Sequence, residues 1–266
     1  TWQPLHASVT FARDSIRAAV TEADLCGIAT LGALNITPQD TSLDFRLVSN
    51  DQDLAPTFPC LSETEREVTG RFNLTGEVKG EGKGDILIRS LYGNLEFAAR
   101  EGHIYRDPVW SKIFSLLNVT EVFRGKKVDL GSDDLAYDSL AFKANLDKGN
   151  LLVEEFVLEG PTMGIAGQGS LDLVDKKADI TLLLAPLRTV DFIMEKTPVV
   201  SNITGGKLIT VPVNIKGDWE DPQVTMLSAA SVGTRLLAIM RNTLMLPVDM
   251  MEPVIPGERN KEDSPP

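Results

Sequence analysis

Residues 68–80 read Val-Thr-Gly-Arg-Phe-Asn-Leu-Thr-Gly-Glu-Val-Lys-Gly, the longest alternating stretch in the chain. Apolar Val68, Phe72, Leu74 and Val78 share one parity with glycines, and the other parity is polar throughout. Successive side chains of a strand point to opposite faces, so this pattern predicts a strand with one apolar and one hydrated face. The polar face can contact water, whereas the apolar face must be buried by other segments of the chain, by a ligand or by a partner.

The same period of two recurs on both sides of this stretch. It occurs at 5–11 and 43–47, and from Ser139 onward it becomes a series of strands separated by polar turns at 147–150 and 175–177. Connections this short favour antiparallel hairpins, because a parallel crossover needs a dozen or more residues. The sequence therefore predicts a mainly β fold with an antiparallel sheet.

Three segments carry helical signals. Asp107-Pro108 reads as an N-cap followed by proline at the first helical position, and an apolar stripe follows to Leu117. A second candidate covers about 187–196, and a third, at about 228–246, places apolar residues at helical spacing. The polar tail at 256–266 ends in two prolines and is expected to be disordered.

The charge of the chain excludes some partners. The chain has 26 Lys and Arg residues and 38 Asp and Glu residues, which gives a net charge of −12. Such a surface repels nucleic-acid phosphates and disfavours electrostatic adsorption to anionic membranes, so any lipid contact is expected through acyl chains. No run approaches the ~20 apolar residues that span a bilayer. The opening residues lack a signal-peptide pattern, and we expect an internal cut from a longer protein.

Groups that could perform catalysis are few and scattered. The two histidines, His6 and His103, and the two cysteines stand at unrelated spacings. Zinc sites normally use clustered ligands, and a nucleophile needs a base nearby, so neither site is expected. We therefore predict no enzymatic activity, no metal and no cofactor.

Three local motifs have simple structural interpretations. The glycines at 164–169 precede a strand instead of a helix, which disfavours a dinucleotide loop and favours close strand packing. The acidic stretch 129–134 lacks the glycine and the terminal glutamate of a calcium loop. Glu154 and Glu155 are neighbours in a predicted strand, so their carboxylates point to opposite faces.

Several stretches between about Gly70 and Gly257 together resemble one known family. They are Gly-Asn-Leu-Glu-Phe at 93–97, Ile-Phe-Ser-Leu-Leu-Asn-Val at 113–119, Met-Gly-Ile-Ala-Gly-Gln-Gly at 163–169, Ala-Pro-Leu at 185–187, Lys-Thr-Pro-Val-Val at 196–200 before Gly-Gly at 205–206, and Ile-Thr-Val-Pro-Val at 209–213 ending in Gly-Asp-Trp-Glu-Asp-Pro at 217–222. In order and spacing they resemble the AsmA-like C-terminal region of bacterial envelope proteins, which is related to TamB-like and chorein-type bridge proteins.

The resemblance implies a curved antiparallel sheet whose apolar face forms a groove for lipid tails, with amphipathic helices at its rim or ends. It also implies a non-catalytic, periplasmic lipid-binding or lipid-transfer module of envelope lipid homeostasis and outer-membrane biogenesis, tethered to the inner membrane by a helix outside this chain. Its expected partners are phospholipid acyl chains and other envelope proteins.

The expected organisation has four parts. An N-terminal β segment covers 1–69, the AsmA-like groove covers 70–223, an amphipathic helix at 224–255 packs on the groove end, and the tail covers 256–266. The parity of the strands selects the candidate groove residues, which are Val68, Phe72, Leu74, Val78, Leu140, Phe142, Ile165, Leu171, Ile180 and Leu182. The alternative hypothesis is an assembly module whose apolar face is covered by a protein partner, since large exposed apolar patches are rare.

The cysteine content predicts a disulfide between Cys26 and Cys60. Two cysteines, an even and minimal number, suit a protein of the oxidising periplasm, and a disulfide between them would cross-link the N-terminal third of the chain. The alternative is a pair of buried free thiols.

Overall fold

The computed structural model describes residues 2–61, 67–105, 108–119, 134–186 and 210–243. The strands are β1 (Trp2–Phe11), β2 (Ile16–Leu25), β3 (Ile28–Ile36), β4 (Thr41–Asp53), β5 (Glu67–Val68), β6 (Arg71–Gly82), β7 (Tyr92–Tyr105), β8 (Asp134–Asp147), β9 (Asn150–Glu159), β10 (Met163–Asp172), β11 (Lys177–Pro186), β12 (Val211–Asp218) and β13 (Gln223–Met226). The helices are α1 (Leu54–Leu61), α2 (Asp85–Ser90), α3 (Pro108–Val119) and α4 (Thr234–Thr243), and a 3-10 turn at Ala229–Ser231 precedes α4.

The strands form a single curved antiparallel sheet. Their order is β1-β2-β3-β4-β6-β7-β8-β9-β10-β11-β12-β13, and short β5 pairs with the end of β7. Neighbours in space are thus mostly neighbours in sequence, as short hairpin connections require. The sheet is not closed, since β1 and β13 lie at opposite edges of its described part. The predicted mainly β fold with a curved antiparallel sheet is confirmed.

The polar turn predicted at 147–150 joins β8 to β9. Asp147 pairs with Asn150, and the two residues between them, Lys148 and Gly149, have φ values of +51° and +76°. Two consecutive left-handed residues suit the twist of a tight hairpin, and glycine adopts that conformation without a steric penalty.

Strand parity divides the sheet into an apolar inner face and a polar outer face. On β6, Phe72 and Leu74 are buried while Arg71 and Asn73 are exposed. Cross-strand partners share a face, so the pairs Phe97–Phe142 and Phe142–Phe156 extend the inner face across β7, β8 and β9. The outer face carries cross-strand ion pairs such as Arg46–Glu77, Lys79–Asp44 and Lys143–Glu96.

Helix α3 covers the inner face toward the C-terminal strands. It begins at Pro108, as the N-cap signal predicts. Its Ile113 and Phe114 are buried in one core cluster with Ile165 and Leu182. Lys112 fastens the helix to the β12–β13 connection by donating to the Asp221 carboxylate at 2.5 Å and to the Pro222 carbonyl at 2.9 Å.

Helix α4 packs on the opposite side of the sheet from α3. Its Leu236 and Met240 contact Ala166, Leu183 and Ala185, which have outer-face parity on β10 and β11. The outer face there is apolar, and this explains why a helix covers it. Within the described residues, the segment predicted as a helix at about 228–246 forms the 3-10 turn and α4, and α4 packs on the outer face of β10 and β11, whereas the sequence led us to expect it at the groove end.

The boundary predicted at residue 69 does not divide the sheet. The sheet runs without interruption past residue 69, because β4 pairs with β6 from Thr41 to Asp53. The N-terminal segment and the groove region therefore share one sheet. The helix predicted at 187–196, the tail at 256–266 and almost all of the acidic stretch 129–134 lie outside the described residues.

Candidate functional site

The inner face and helix α1 line an apolar cavity of about 640 Å³ that is partly open to solvent. Its walls come from the inner face of β2 to β9, from α1 and from Trp110 on α3. The lining residues are Leu25, Ile28, Leu47, Leu54, Thr57, Phe58, Leu61, Val68, Phe72, Leu74, Leu95, Phe97, Ile104, Trp110, Leu140 and Phe156. Only Thr57 among them is polar, and the volume is in the range of small-molecule pockets, ~300–1,000 Å³.

Aromatic side chains on β6 and β7 form the floor of the cavity. The Phe72 and Phe97 rings stack with their centroids 5.6 Å apart. Phe72 is only 1% exposed and Leu74 only 7%, so both are held firmly by their neighbours. Gly76 follows on the same face, and a Cβ there would lie 2.8 Å from Leu95. The glycine therefore lets Leu95 lie close against the sheet.

Helix α1 begins directly after β4, and its first turn is anchored to the sheet. The Leu54 amide donates to the Gly70 carbonyl at 2.9 Å, and the Ala55 amide donates to the Asp53 carboxylate at 3.0 Å. A carboxylate that accepts from the first free amides caps a helix and stabilises it. Leu54 is then buried at the start of the cavity wall.

A disulfide joins the end of α1 to the β2–β3 turn. Cys26 and Cys60 are bonded, with 5.8 Å between their Cα atoms, and the predicted pairing is confirmed. The turn is tight, with Cys26 and Gly27 at φ values of +59° and +87°. Further bonds fix it, since the Gly27 amide donates to Asp24 at 2.7 Å and the Ser49 hydroxyl donates to the Gly27 carbonyl at 2.9 Å.

Polar side chains around the cavity are satisfied by the protein itself. The buried Thr57 hydroxyl donates to the Cys26 carbonyl at 2.7 Å, and the buried Thr30 hydroxyl donates to the Ile28 carbonyl at 3.2 Å. The wall therefore suits a hydrocarbon better than a ligand that needs hydrogen bonds. Within the described residues, no three His, Cys, Asp or Glu side chains converge as a metal site would require.

Tyr137 on β8 braces the backbone beside the cavity. Its hydroxyl donates to the Thr69 carbonyl at 2.6 Å, and the side chain is buried. Gly70 and Gly102 make room for the ring, because a Cβ at either position would lie within 2.5 Å of the Tyr137 hydroxyl. Burial disfavours the phenolate and raises the pKa of Tyr137 to about 12.

The charged groups nearest to this region pair on the outer face. Arg71 and Arg100 donate to the two carboxylate oxygens of Asp51, at 2.9 and 2.7 Å. The hydrogen bond from Arg71, followed by the two positive charges, lowers the pKa of Asp51. The charges of these three side chains compensate one another on the outer face, and none of the residues that line the cavity is an Asp, Glu, Lys, Arg or His.

The ten residues predicted for the groove all have inner-face positions, but they divide into two groups. Val68, Phe72, Leu74 and Leu140 line the cavity. The others lie along the same face outside it and are Val78, Phe142, Ile165, Leu171, Ile180 and Leu182. Ile165 and Leu182 are buried in the core that α3 covers.

Sequence reasoning missed helix α1 and therefore four of the sixteen residues that line the cavity. Leu54, Phe58 and Leu61 are spaced i, i+4 and i+7, which is a helical stripe. Pro56 and Pro59 interrupt the segment and mask that signal. Both prolines are exposed on the side of α1 away from the sheet.

The inner face continues beyond the cavity onto the first strands, where it is open. Large apolar side chains there are exposed, with Phe11 at 75% and Leu5 at 54%. Val9, Ile16 and Ile36 are exposed on the same face. This surface is called the open edge below.

Comparisons of the chain with family models, with curated protein sequences and with solved structures found no match. None of the helices in the described residues has the length and apolar content needed to cross a membrane.

Proposed function

We propose that this chain is a non-catalytic lipid-binding module that holds an acyl chain in the cavity under α1. The observation that supports the proposal is the chemistry of that cavity. Fifteen of its sixteen lining residues are apolar, and the hydroxyl of the sixteenth, Thr57, is already bonded to the Cys26 carbonyl. Such a wall recognises length and shape of hydrocarbon and offers no partner to a headgroup, which would remain in water.

The dimensions of the cavity suit an acyl chain. It touches seven adjacent strands, from Leu25 on β2 to Phe156 on β9. A strand spacing of ~4.8 Å over these six gaps makes about 29 Å along the sheet, which is longer than the ~15 Å that one tail spans in its half of a ~30 Å hydrocarbon core. A tail of ~16 carbons that leaves a membrane loses about 13 kcal/mol unless comparable apolar cover replaces the bilayer, and a long apolar cavity supplies that cover.

The setting that we propose is the periplasm, as part of an AsmA-like envelope protein tethered to the inner membrane by a segment outside this chain. The Cys26–Cys60 bond supports an oxidising compartment, because disulfides are rare in the cytosol. The resemblance of the sequence to the AsmA-like region supports a role in envelope lipid homeostasis. The net charge of −12 supports lipid contact through tails and not through anionic headgroups.

A second candidate function is an assembly module that binds another envelope protein through the open edge. The exposure of Phe11, Leu5 and Val9 favours it, because clustered apolar side chains on a surface commonly mark a contact site. Under this proposal, a protein partner covers the inner face of the first strands and the cavity is an internal void.

The experiment compares two matched variants at exposed leucines. Leu61, 51% exposed, lines the cavity at the end of α1, and Leu152, 44% exposed, lies on the outer face of β9. We expect Leu61→Asp to weaken binding of a fluorescent long-chain fatty acid about tenfold, because it removes roughly 1.4 kcal/mol of apolar contact. Leu152→Asp makes the same chemical change away from the cavity and should bind like the wild type.

Native mass spectrometry of gently purified wild type identifies the bound molecule. A stoichiometric phospholipid or fatty acid in the wild type, reduced in Leu61→Asp and retained in Leu152→Asp, supports the lipid module. Absence of lipid from the wild type, together with failure to bind the fatty-acid probe, would reject it in favour of the assembly module.

A further inference from the structure

The position of α1 depends on contacts at both of its ends. Its first turn follows β4 without a loop and is bonded to Gly70. Its second half, which carries Phe58 and Leu61 into the cavity wall, is joined to the β2–β3 turn by the disulfide at Cys60, and Thr57 at the middle of the helix donates a hydrogen bond to the same turn. The disulfide therefore holds the part of α1 that closes the cavity.

The helix has little stability of its own. It has eight residues, with Pro59 inside it, and Pro56 in its first turn. Isolated helices shorter than ~12–15 residues are marginal in water, and a proline in the helix interior removes a hydrogen bond and disturbs the preceding turn. The packing and the cross-links of α1 must therefore maintain its position on the sheet.

The disulfide is accessible to a reductant. Cys60 is exposed, as are Pro59 and Leu61 on either side of it, and Cys26 is partly exposed at the tip of a hairpin. Thiol–disulfide exchange requires an attacking thiolate to reach one sulfur, and access to that sulfur controls the rate. A disulfide buried in a core lacks this access, whereas this one lies at the surface, next to the cavity-lining residues Leu25 and Leu61 in the sequence.

We propose that the Cys26–Cys60 disulfide is a redox-controlled tether, and that its reduction releases the second half of α1 and opens the cavity. The reductant is a protein or small molecule with two thiols. Its thiolate attacks the Cys60 sulfur and expels the Cys26 thiolate, and its second thiol then displaces Cys60. Two electrons pass to the disulfide, the released thiolates take up protons, and the dithiol leaves as a disulfide.

The effect on the ligand rests on the proposed lipid-binding function. In the oxidised protein, α1 covers an acyl chain in the cavity and slows its escape. In the reduced protein, Phe58 and Leu61 move away from the sheet, and the bound tail becomes accessible to water or to a membrane. The tether thus controls the rate of lipid exchange, while the sheet that forms the floor stays folded.

The test uses the oxidised wild type, the wild type reduced with dithiothreitol, and the double variant Cys26→Ser/Cys60→Ser. Hydrogen exchange of the α1 amides measures release of the helix without any ligand. We expect their exchange to accelerate about tenfold or more in both reduced forms, while the amides of β6 and β7 change by less than about twofold. Thr57→Val, which keeps the disulfide, serves as the control and should have a smaller effect on α1.

A second measurement follows dissociation of a fluorescent long-chain fatty acid by stopped flow. Reduction should raise its dissociation rate about tenfold, and reoxidation should restore the slow rate. Equal α1 exchange in the oxidised and reduced proteins would overturn the tether, and so would loss of protection across the whole sheet, since the bond would then support the entire fold. Faster α1 exchange in a protein that binds no fatty acid would keep the tether and reject the lipid-binding function instead.

Discussion

Replacing Leu47 with tryptophan tests whether the cavity is free space for a ligand or a packed core. A free cavity predicts a more stable protein, whereas a packed core predicts a less stable one. Leu47 lines the cavity from β4, half-buried, and its cross-strand neighbours are Thr30 on one side and Gly76 on the other. Leu95 already occupies the space above Gly76, so an indole ring at position 47 has to extend into the open volume of the cavity that Leu47 lines. The ring should therefore enter the cavity without displacing the floor.

The expected magnitudes follow from the added size of the side chain. Roughly 40–50 Å² of further apolar surface, buried at ~25 cal/mol per Å², stabilises the folded state by about 1 kcal/mol. The indole also occupies space that about three methylenes of a bound tail would use, at ~0.8 kcal/mol each. We therefore expect fatty-acid affinity to fall by about 2.4 kcal/mol, which is roughly fiftyfold.

Leu182→Trp is the matched control. Leu182 also lies on the inner face next to a cross-strand glycine, Gly167, but it is 4% exposed in the core beneath α3 and does not line the cavity. A Cβ on Gly167 would lie 2.5 Å from Leu182, so the space is already filled. Overpacking of such a site costs about 1–3 kcal/mol.

Urea unfolding followed by circular dichroism measures both free energies, and fluorescence titration measures the affinity. If Leu47→Trp destabilises the protein as much as Leu182→Trp, the space in front of Leu47 is not free and the cavity is a packed core. A stabilised Leu47→Trp that binds the fatty acid with unchanged affinity would place the ligand elsewhere.

Two further substitutions probe the walls around the cavity. Phe72→Asp should lower the free energy of unfolding by about 3 kcal/mol or more, because Phe72 is 1% exposed and a carboxylate there would be buried without a partner; a cooperative melt at the wild-type Tm would contradict this. Tyr137→Phe removes the hydrogen bond to the Thr69 carbonyl and should cost about 1–2 kcal/mol in urea unfolding at pH 7. Since the folded-state pKa of Tyr137 is raised from 10.0 to about 12, its contribution is complete below pH 10 and is lost as the pH rises through 12. The wild type should therefore lose stability over that interval relative to Tyr137→Phe, and parallel pH profiles of the two proteins would refute the assignment.

The candidate groove residues differ in how well a charged substitution would report on lipid binding. Phe72 and Leu74 line the cavity but are nearly covered, so charged variants there report on folding before they report on lipid. Phe142 lies on the same face, paired with Phe97 and Phe156. Leu61 at the rim is the better probe of binding, because a charge at an exposed position stays hydrated.

The sheet could be predicted from the amino-acid sequence, because the patterns that specify strands and turns are local. Alternation along 68–80 identified the buried parity of β6, polar turns such as 147–150 located hairpins, and Asp107-Pro108 located the start of α3. Strand period and turn chemistry act over a few residues, and each can be read without knowledge of the rest of the chain. The disulfide between Cys26 and Cys60 could also be predicted, because the chain has only these two cysteines.

The segments that cover each face of the sheet could not be predicted from these local patterns. Parity placed Leu74 and Ile165 on one side of the sheet, yet one borders a cavity and the other is sealed under α3. It also gave no reason to expect that α4 would cover Ala166 and Leu183 from behind. Periodicity specifies the face of the sheet to which a side chain points. Whether that side chain is buried depends on segments from elsewhere in the chain that pack on that face. The cavity exists because α1, a short helix with two prolines, is held over the inner face by its junction with β4 and by a bond to a hairpin 34 residues earlier.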